Sequence, residues 1–229
     1  LKVIREICKY HKPLAILCEK PMGGSILQGK EIIKICNNIG IHLYVNYVRS
    51  CLPGGMDVKS RIQNNLIKGP IKCVVWYSKG LKHNGAHFIN LMEGWFGKCL
   101  QVKKINKGRE TRAFGQEVSV LLEFENCEVI LIPALEEFYS HYTIEIVSTT
   151  GRLYWNKSTI DWNEVINDEL LDGYKKLSTK TEEILIGIDR YQFYVLDQLF
   201  CALQGGVSNI CTGMQALETH NTIDRIEKE

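Results

Sequence analysis

The 229-residue sequence lacks several features that would place a protein quickly in a broad class. No run approaches the roughly 18 to 20 apolar residues that cross a bilayer, and no signal peptide opens the chain. No G-x-G-x-x-G loop is present to hold a pyrophosphate. The 28 basic and 26 acidic residues nearly cancel, so no charge excess points to nucleic acid or an anionic membrane. We therefore expect a cytoplasmic protein that binds a small molecule or another protein.

The nine cysteines include no C-x-x-C pair, and their number is odd. Most lie in apolar segments, as reduced thiols do in the cores of intracellular proteins, so we expect no disulfide framework. His83 and His87 are four residues apart and could share a metal ion. Zn²⁺ needs three or four ligands, however, and no carboxylate or cysteine pair is near them in sequence. We expect no metal site.

The first 50 residues show the pattern of a parallel sheet. The run "LAILC" predicts a strand covered on both faces, and "IHLYVN" predicts a second strand. Between them, Ser25 and Gln28 form a candidate capping box, and Gly40 is a natural helix stop. Residues 14–46 are therefore predicted to form a strand-helix-strand unit with two parallel strands.

Beyond residue 50 the pattern changes. A helix is predicted over 55–68, followed by "CVVWYS" as a strand and a short helix in "NGAHFINLMEGWFG". The segments "VSVLLEF", "EVILIPAL", "YTIEIVST" and "RLYWN" predict strands joined by short turns, which favours an antiparallel sheet with one covered face. Helices are predicted over 190–206 and 213–229. The expected fold is α/β (α+β), with residues 1–50 as the end of a parallel sheet and residues 51–229 as an open antiparallel-sheet domain.

Polar residues follow both predicted parallel strands. Lys20 leaves the first strand, and Asn46, Tyr47 and Arg49 leave the second. Ligands of open α/β sheets bind outside the carboxyl ends of the strands, so these side chains could line one crevice. Lys20 could instead be an ordinary solvated lysine at a strand exit, and Arg49 could be a surface partner at a turn.

The stretch "HNGAHFINLMEGWFG" supplies a second candidate. If Asn84 caps this helix, His87, Asn90, Leu91 and Gly94 share one face, and His83 lies one turn before His87. Histidine has an unperturbed pKa near 6.5, which suits a general acid or base. The alternative is a buried histidine that only contributes to packing.

Four motifs in order, "CEKP", "VNYVRSCLP", "NGAHFINLMEGWFG" and "LDQLFCALQGGVSNICTGMQALETHNTIDRI", resemble the Gfo/Idh/MocA oxidoreductase family and span most of the chain. The resemblance implies a Rossmann domain that binds NAD or NADP, and an open-sheet domain that shapes a sugar site and forms a homodimer or homotetramer. It implies that Lys20 contacts the nicotinamide and the reacting hydroxyl, while His87 exchanges the proton. On this basis we expect cofactor contacts from Glu19, Lys20, Pro21 and Asn46, and substrate contacts from Lys20, Tyr47, Arg49, His83, Asn84, His87 and Tyr191.

The chain departs from the family pattern in two ways. His83 and Asn90 stand where the family typically has aspartates, so the acid that orients the base is absent unless His83 or Asn84 replaces it. The glycine loop is also absent, and the resemblance begins in the last third of the Rossmann domain. We therefore expect about eighty or more residues of the cofactor domain to be missing from the chain.

The resemblance predicts a truncated NAD(P)-dependent oxidoreductase acting on a hydroxyl of a sugar, cyclic polyol or nucleotide-sugar, and leaves open whether the chain is active alone. The alternative is a non-catalytic ligand-binding, oligomerisation or regulatory protein with the same fold.

Overall fold

The predicted strand-helix-strand unit with two parallel strands forms at the start of the chain, but its first strand is half-buried along its whole length rather than covered on both faces. The computed structural model describes residues 1–229. Two parallel strands pair in register from Ala15 opposite His42 to Cys18 opposite Val45. The elements are helix α1 (Lys2–Tyr10), strand β1 (Ala15–Cys18), helix α2 (Ile26–Asn38) and strand β2 (His42–Val45).

The cap of α2 confirms half of its prediction. Ser25 Oγ accepts a hydrogen bond from the main-chain N–H of Gln28. The Gln28 side chain does not return to Ser25 but accepts a hydrogen bond from Gly24 N–H, 3.0 Å away. The helix ends at Asn38, two residues before Gly40, which has a positive φ of 69°.

A nine-stranded sheet forms most of the remaining chain. Its strands are β3 (Ile71–Tyr77), β4 (Gln101–Lys104), β7 (Val120–Glu123), β8 (Cys127–Pro133), β9 (Thr143–Val147), β10 (Gly151–Trp155), β11 (Ile160–Asn167), β12 (Lys175–Leu177) and β13 (Glu182–Ile184), while β5 (Arg109–Thr111) and β6 (Gly115–Glu117) make a separate hairpin. The strand order is β12-β11-β10-β9-β3-β8-β7-β4, with β13 also paired to β11. All pairs in the large sheet are antiparallel except β3 with β8, so the predicted mainly antiparallel sheet is confirmed.

Helices cover one face of the large sheet. They are α3 (Pro53–Gln63), α4 (Ala86–Phe96) and α6 (Gly213–Lys228), whereas α5 (Tyr191–Leu203) packs against the first sheet. In α4, Met92 contacts Cys73 of β3, and the Trp95 ring lies 5.9 Å from the ring of Trp155 of β10. Alternate residues of β3, such as Val75 and Tyr77, are fully buried beneath α4, whereas Trp76 on the opposite face is 38% exposed. None of the helices is long and apolar enough to cross a membrane.

The last two helices pack back on the first sheet. The N–H of Val45 in β2 donates to the carbonyl oxygen of Cys211, just before α6, at 2.8 Å. On the other side, Val195 of α5 packs with Tyr44 and Cys51 in a small buried cluster. The same hydrophobic core therefore includes residues on both sides of position 50, and the division into domains 1–50 and 51–229 stays a prediction.

Two sequence predictions in this region need correction. The helix predicted over 55–68 begins earlier, with Pro53 in its first turn, and ends at Gln63. Proline suits the first helical turn, and Asn65 at φ 57° leaves the helical conformation. Strands β4 and β11 were not predicted, because Gln101–Lys104 is short and polar, while Ile160–Asn167 has acidic and amide side chains on its outer positions.

Candidate active site

Lys20 leaves β1 and contacts the segment that leads into α4. Its Nζ donates a hydrogen bond to the main-chain oxygen of His83, 63 residues away in sequence. His83 lies in a wide π-helical turn, Gly80–Gly85, directly before α4. The lysine thus joins the end of the parallel sheet to the start of the helix that carries His87.

The wide turn depends on two unusual backbone positions. Lys79 and Gly80 both have positive φ values, 65° and 72°. A Cβ atom on Gly80 would lie 2.0 Å from the main-chain oxygen of Phe114, so only glycine fits there. The same contact lets Phe114, at the tip of the β5–β6 hairpin, stack on the His83 ring at 6.0 Å between centroids.

Asn84 does not cap α4. The residue is buried inside the π-helical turn, and its Oδ1 accepts a hydrogen bond from Arg49 Nη2 at 3.1 Å. The Arg49 guanidinium carbon also lies 4.4 Å from the centre of the Phe88 ring. Asn84 therefore orients Arg49, because the chain enters α4 through a continuous turn rather than through a free N-terminus.

His87 lies on the first turn of α4 against Tyr47. The two rings meet edge to face at 5.4 Å, and Tyr47 is only 5% exposed. His87 Nδ1 is buried and has no hydrogen-bond partner in the chain. Nε2 also lacks a partner in the chain but is not buried, so it is the ring nitrogen open to solvent. Burial also raises the pKa of the Tyr47 phenol.

Asn46 and Glu19 meet at the ends of the two parallel strands. Asn46 Nδ2 donates to Glu19 Oε1 at 2.7 Å, while Asn46 Oδ1 is buried without a partner. Glu19 and Pro21 are both exposed. The arrangement leaves one unsatisfied amide oxygen at the carboxyl edge of the sheet, the edge at which Lys20 also follows its strand.

The electrostatics of the site are dominated by positive charge. Burial, followed by the charges of Arg49, Lys20 and His83, lowers the pKa of His87 to about 2. Burial lowers the pKa of Arg49 to about 10, so this guanidinium remains charged at neutral pH. The pKa of Lys20 is lowered by burial and by Arg49, against an opposing effect of Glu19. The imidazole of His87 is therefore neutral while two cations stand close to it.

Asn90, at the second position where the family pattern has an aspartate, holds two helices together. Its Nδ2 donates to Thr219 Oγ1 of α6 at 3.0 Å and contacts Cys211 Sγ at 3.3 Å. Thr219 Oγ1 in turn lies 2.6 Å from Glu93 Oε2, and Thr222 Oγ1 lies 2.6 Å from Glu93 Oε1. Asn90 is thus part of a polar network between α4 and α6.

A separate cavity of about 230 Å³ adjoins this network. Glu93 and Lys59 line it, whereas Lys20 and His87 do not. Burial raises the pKa of Glu93 to about 7, against the opposing hydrogen bonds from the two threonine hydroxyls.

Tyr191 stands apart from the other site residues. It begins α5, is 43% exposed, and makes no hydrogen bond or ring contact with Lys20, Arg49 or His87. Its substrate contact stays a prediction. No group of three or more His, Cys, Asp or Glu side chains comes together as metal ligands.

Two residues that shape the site were not predicted from the sequence. Phe114 covers His83, and the Tyr142 ring lies 6.0 Å from the Arg49 guanidinium carbon. Both come from connections beyond β3 that reach the site only through the tertiary fold. No local motif marks either residue.

No protein-family model and no curated protein matches this chain. Solved structures do match it in fold. An NAD-binding oxidoreductase from Klebsiella pneumoniae is 15% identical with a TM-score of 0.76, and the match covers 99% of this chain and 73% of that chain. An oxidoreductase from Agrobacterium radiobacter, in complex with NAD+, L-tartaric acid and magnesium, is 15% identical with a TM-score of 0.72. That match covers 99% of this chain and 73% of the oxidoreductase chain.

A third match is the aldose-aldose oxidoreductase of Caulobacter crescentus, complexed with glycerol. It is 15% identical with a TM-score of 0.73, and the match covers 99% of this chain and 72% of that chain. At such identity the likeness shows the fold. The chain therefore has the fold of the Gfo/Idh/MocA-type oxidoreductases, as the resemblance of its motifs indicated.

Proposed function

We propose that this chain functions as an NAD(P)-dependent oxidoreductase that acts on a hydroxyl group of a sugar, cyclic polyol or nucleotide-sugar. The observation that carries the proposal is the hydrogen bond from Lys20 to the turn before α4, which joins the strand exit to the helix that bears His87. Removal of hydride and proton from a secondary alcohol needs a cation near the oxygen and a group that exchanges the proton. Lys20 and His87 have these chemical properties.

The ligands named for the matching structures support this choice. One contains NAD+ with a hydroxy acid, and another is an aldose-aldose oxidoreductase with bound glycerol. In the proposed reaction Lys20 stabilises negative charge on the reacting oxygen, and His87 Nε2 exchanges the hydroxyl proton. Hydride acceptance or donation is the chemistry that a bound nicotinamide supplies.

The residues present fit the nicotinamide end of such a cofactor. The unpaired Asn46 Oδ1 is an acceptor suited to a carboxamide N–H, and Glu19 holds the Asn46 side chain through Nδ2. Lys20 and Pro21 follow at the same strand exit. The phosphates have no glycine-rich loop among residues 1–229 to receive them. We expect no tight NAD or NADP binding by residues 1–229, and a micromolar dissociation constant in calorimetry would contradict this.

The proposed activity is tested with the natural gene product. It is incubated with NAD+ or NADP+ and a panel of sugars, cyclic polyols, sugar acids and nucleotide-sugars, while formation of the reduced nicotinamide is followed by its absorbance. We expect reduction with at least one class of hydroxyl substrate. No reduction with any class, in a protein that binds cofactor, would overturn the proposal.

The second candidate function is a non-catalytic ligand-binding or regulatory protein. It is favoured by the low pKa of His87 and by the unpaired Nδ1, because no acid orients the imidazole as a base. Ligand binding without any reduction of NAD+ or NADP+ would support this candidate.

We also propose that the protein forms a homodimer or homotetramer through the uncovered face of the large sheet. Trp76 and its neighbours Ile130 and Ile132 present partly exposed apolar surface there. Ion pairs flank them, Lys72 with Glu128 and Arg152 with Glu145. An apolar patch with a charged border is typical of an association surface.

A further inference from the structure

The candidate active site holds two cations that have no acidic partner. None of the ion pairs in the chain involves Lys20 or Arg49. Lys20 donates to a main-chain oxygen and Arg49 to the Asn84 amide oxygen, and both acceptors are neutral. Glu19, the acidic residue next to Lys20 in sequence, is exposed and accepts a hydrogen bond from Asn46.

Lys20 and Arg49 are held by consecutive residues of the turn before α4, since Lys20 donates to the His83 main-chain oxygen and Arg49 to the Asn84 side chain. Both charges also lower the pKa of His87. His83 adds a further nitrogen-bearing ring at the position where the family pattern predicts an aspartate. The site therefore carries the charges of Lys20 and Arg49, with no aspartate at the position where the family pattern would supply one.

The Arg49 guanidinium is held in one position rather than left free in solvent. Asn84 fixes one end of its guanidinium, and the Phe88 and Tyr142 rings pack against it at 4.4 and 6.0 Å. A guanidinium fixed in this way presents its other N–H groups as a planar fork that matches a carboxylate or phosphate. Close like charges raise the energy of the empty site, and a bound anion relieves that repulsion.

We propose that the substrate of this site carries an oxyanion, a carboxylate or a phosphate, which binds Arg49 and Lys20 beside the reacting hydroxyl. This inference rests on the proposed function, since it names the substrate class of the same site. A neutral polyol leaves both cations unpaired and is the weaker ligand.

The anion also serves the proton transfer. It offsets the charges of Arg49 and Lys20, which hold His87 in its neutral form. The His87 imidazole then accepts the hydroxyl proton more readily, because an opposite charge nearby favours the protonated ring. The substrate itself thus supplies the negative charge that a neighbouring aspartate would otherwise provide.

The Lys59 cavity is a rival place for an anion and supplies the matched control. Lys59 Nζ donates to Asn209 Oδ1 at 2.8 Å, and Lys59 is partly buried, as Arg49 is. Glu93 and Glu218 line the same cavity, so an anion there meets acidic groups. Lys59→Gln removes a cation from that cavity and leaves the Arg49 site intact.

The experiment compares gluconate with glucitol, which differ by a carboxylate in place of a terminal alcohol, by calorimetry on residues 1–229 without cofactor. Glucose 6-phosphate and glucose form the second pair and distinguish a phosphate from a carboxylate requirement. We expect the anion of at least one pair to bind about tenfold or more tightly than its neutral partner. Arg49→Gln should remove the preference, and Lys59→Gln should preserve it.

Equal binding within both pairs, no binding of either anion, or a preference that survives Arg49→Gln would overturn the inference. If Arg49→Gln fails to fold, as judged by circular dichroism, Arg49→Lys and Lys20→Met decide. Arg49→Lys should reduce the preference, since lysine keeps the charge and loses the fork, and unchanged preference in both variants contradicts the inference.

The two proposals fail separately. Oxidation of neutral polyols, with no advantage for acids or phosphates, would leave the oxidoreductase standing and remove the anion inference. Anion binding that depends on Arg49, without any nicotinamide reduction, would support the anion site and remove the oxidoreductase proposal.

Discussion

Acid should lower the free energy of unfolding of this protein through protonation of His87 in the unfolded chain. A His87→Gln variant should not show that part of the decrease. The folded-state pKa of His87 is lowered to about 2, whereas an unfolded histidine titrates near 6.5. Between these values the unfolded chain binds the proton and the folded chain does not. The contribution of His87 to the free energy of unfolding is therefore fully present above about pH 6.5 and is lost as the pH falls toward the folded pKa.

The size of the effect follows from the two pKa values. Each pH unit below 6.5 lowers the free energy of unfolding by about 1.4 kcal/mol, so the loss reaches about 2 kcal/mol near pH 5. Urea unfolding at a series of pH values, on wild type and His87→Gln, measures it. The difference in unfolding free energy between the two proteins should shift in favour of the variant by about 2 kcal/mol between roughly pH 7.5 and 5.

Comparison with the variant is necessary, because burial also lowers the pKa values of His83 and His220 and raises that of Glu93. These groups titrate in both proteins and cancel in the difference. A constant difference across the pH range would show that His87 titrates as an exposed histidine. The burial and the neighbouring cations described for it would then be refuted.

Three further predictions concern other parts of the molecule. Burial raises the pKa of folded Glu93 from 4.5 to about 7, so the folded state loses stability as the pH rises between these values. Urea unfolding should show a loss on the order of 3 kcal/mol in the wild type that is absent in Glu93→Gln, and the same pH profile in both proteins would contradict this. Trp76→Glu should convert the proposed oligomer to monomer in sedimentation at tens of micromolar, and wild-type protein that is only monomeric there would remove the proposal. Gly80→Ala should cost about 1 to 3 kcal/mol in thermal or urea unfolding, because φ is positive and Phe114 blocks a Cβ, whereas Gly94→Ala, with open space at its Cβ, should be neutral or stabilising.

The parts of the fold that depend on local periodicity could be predicted from the sequence. The β1–α2–β2 unit follows from an apolar run, a serine cap and a glycine stop, each of which acts within a few residues. The parallel direction follows from the length of the connection between the strands. The carboxyl ends of these strands then place Lys20 and Asn46 at one edge without any further information.

The parts that depend on tertiary contacts could not be predicted. The π-helical turn before α4 forms because Gly80 packs against Phe114, a contact across 34 residues of sequence that has no local pattern. Asparagine is a common helix cap, yet the turn buries Asn84 and its Oδ1 accepts a hydrogen bond from Arg49. The pairing of β11 with β10 likewise stabilises a polar segment that local propensity would not make a strand.

Turnover of the natural gene product, with its cofactor and an active hydroxyl substrate, shows whether Lys20 and His87 form the proposed catalytic pair. Lys20→Met removes the charge and keeps the stem, and His87→Ala removes the imidazole. Lys82→Met is the matched control, because Lys82 lies on the same turn but pairs with Glu227 at 2.7 Å.

His87→Ala should lower turnover by roughly 10² to 10⁴, Lys20→Met should lower it at least as much, and Lys82→Met should leave it unchanged. All three variants should keep wild-type circular dichroism spectra. Near-normal turnover in both Lys20→Met and His87→Ala would show that these two residues are not the catalytic pair.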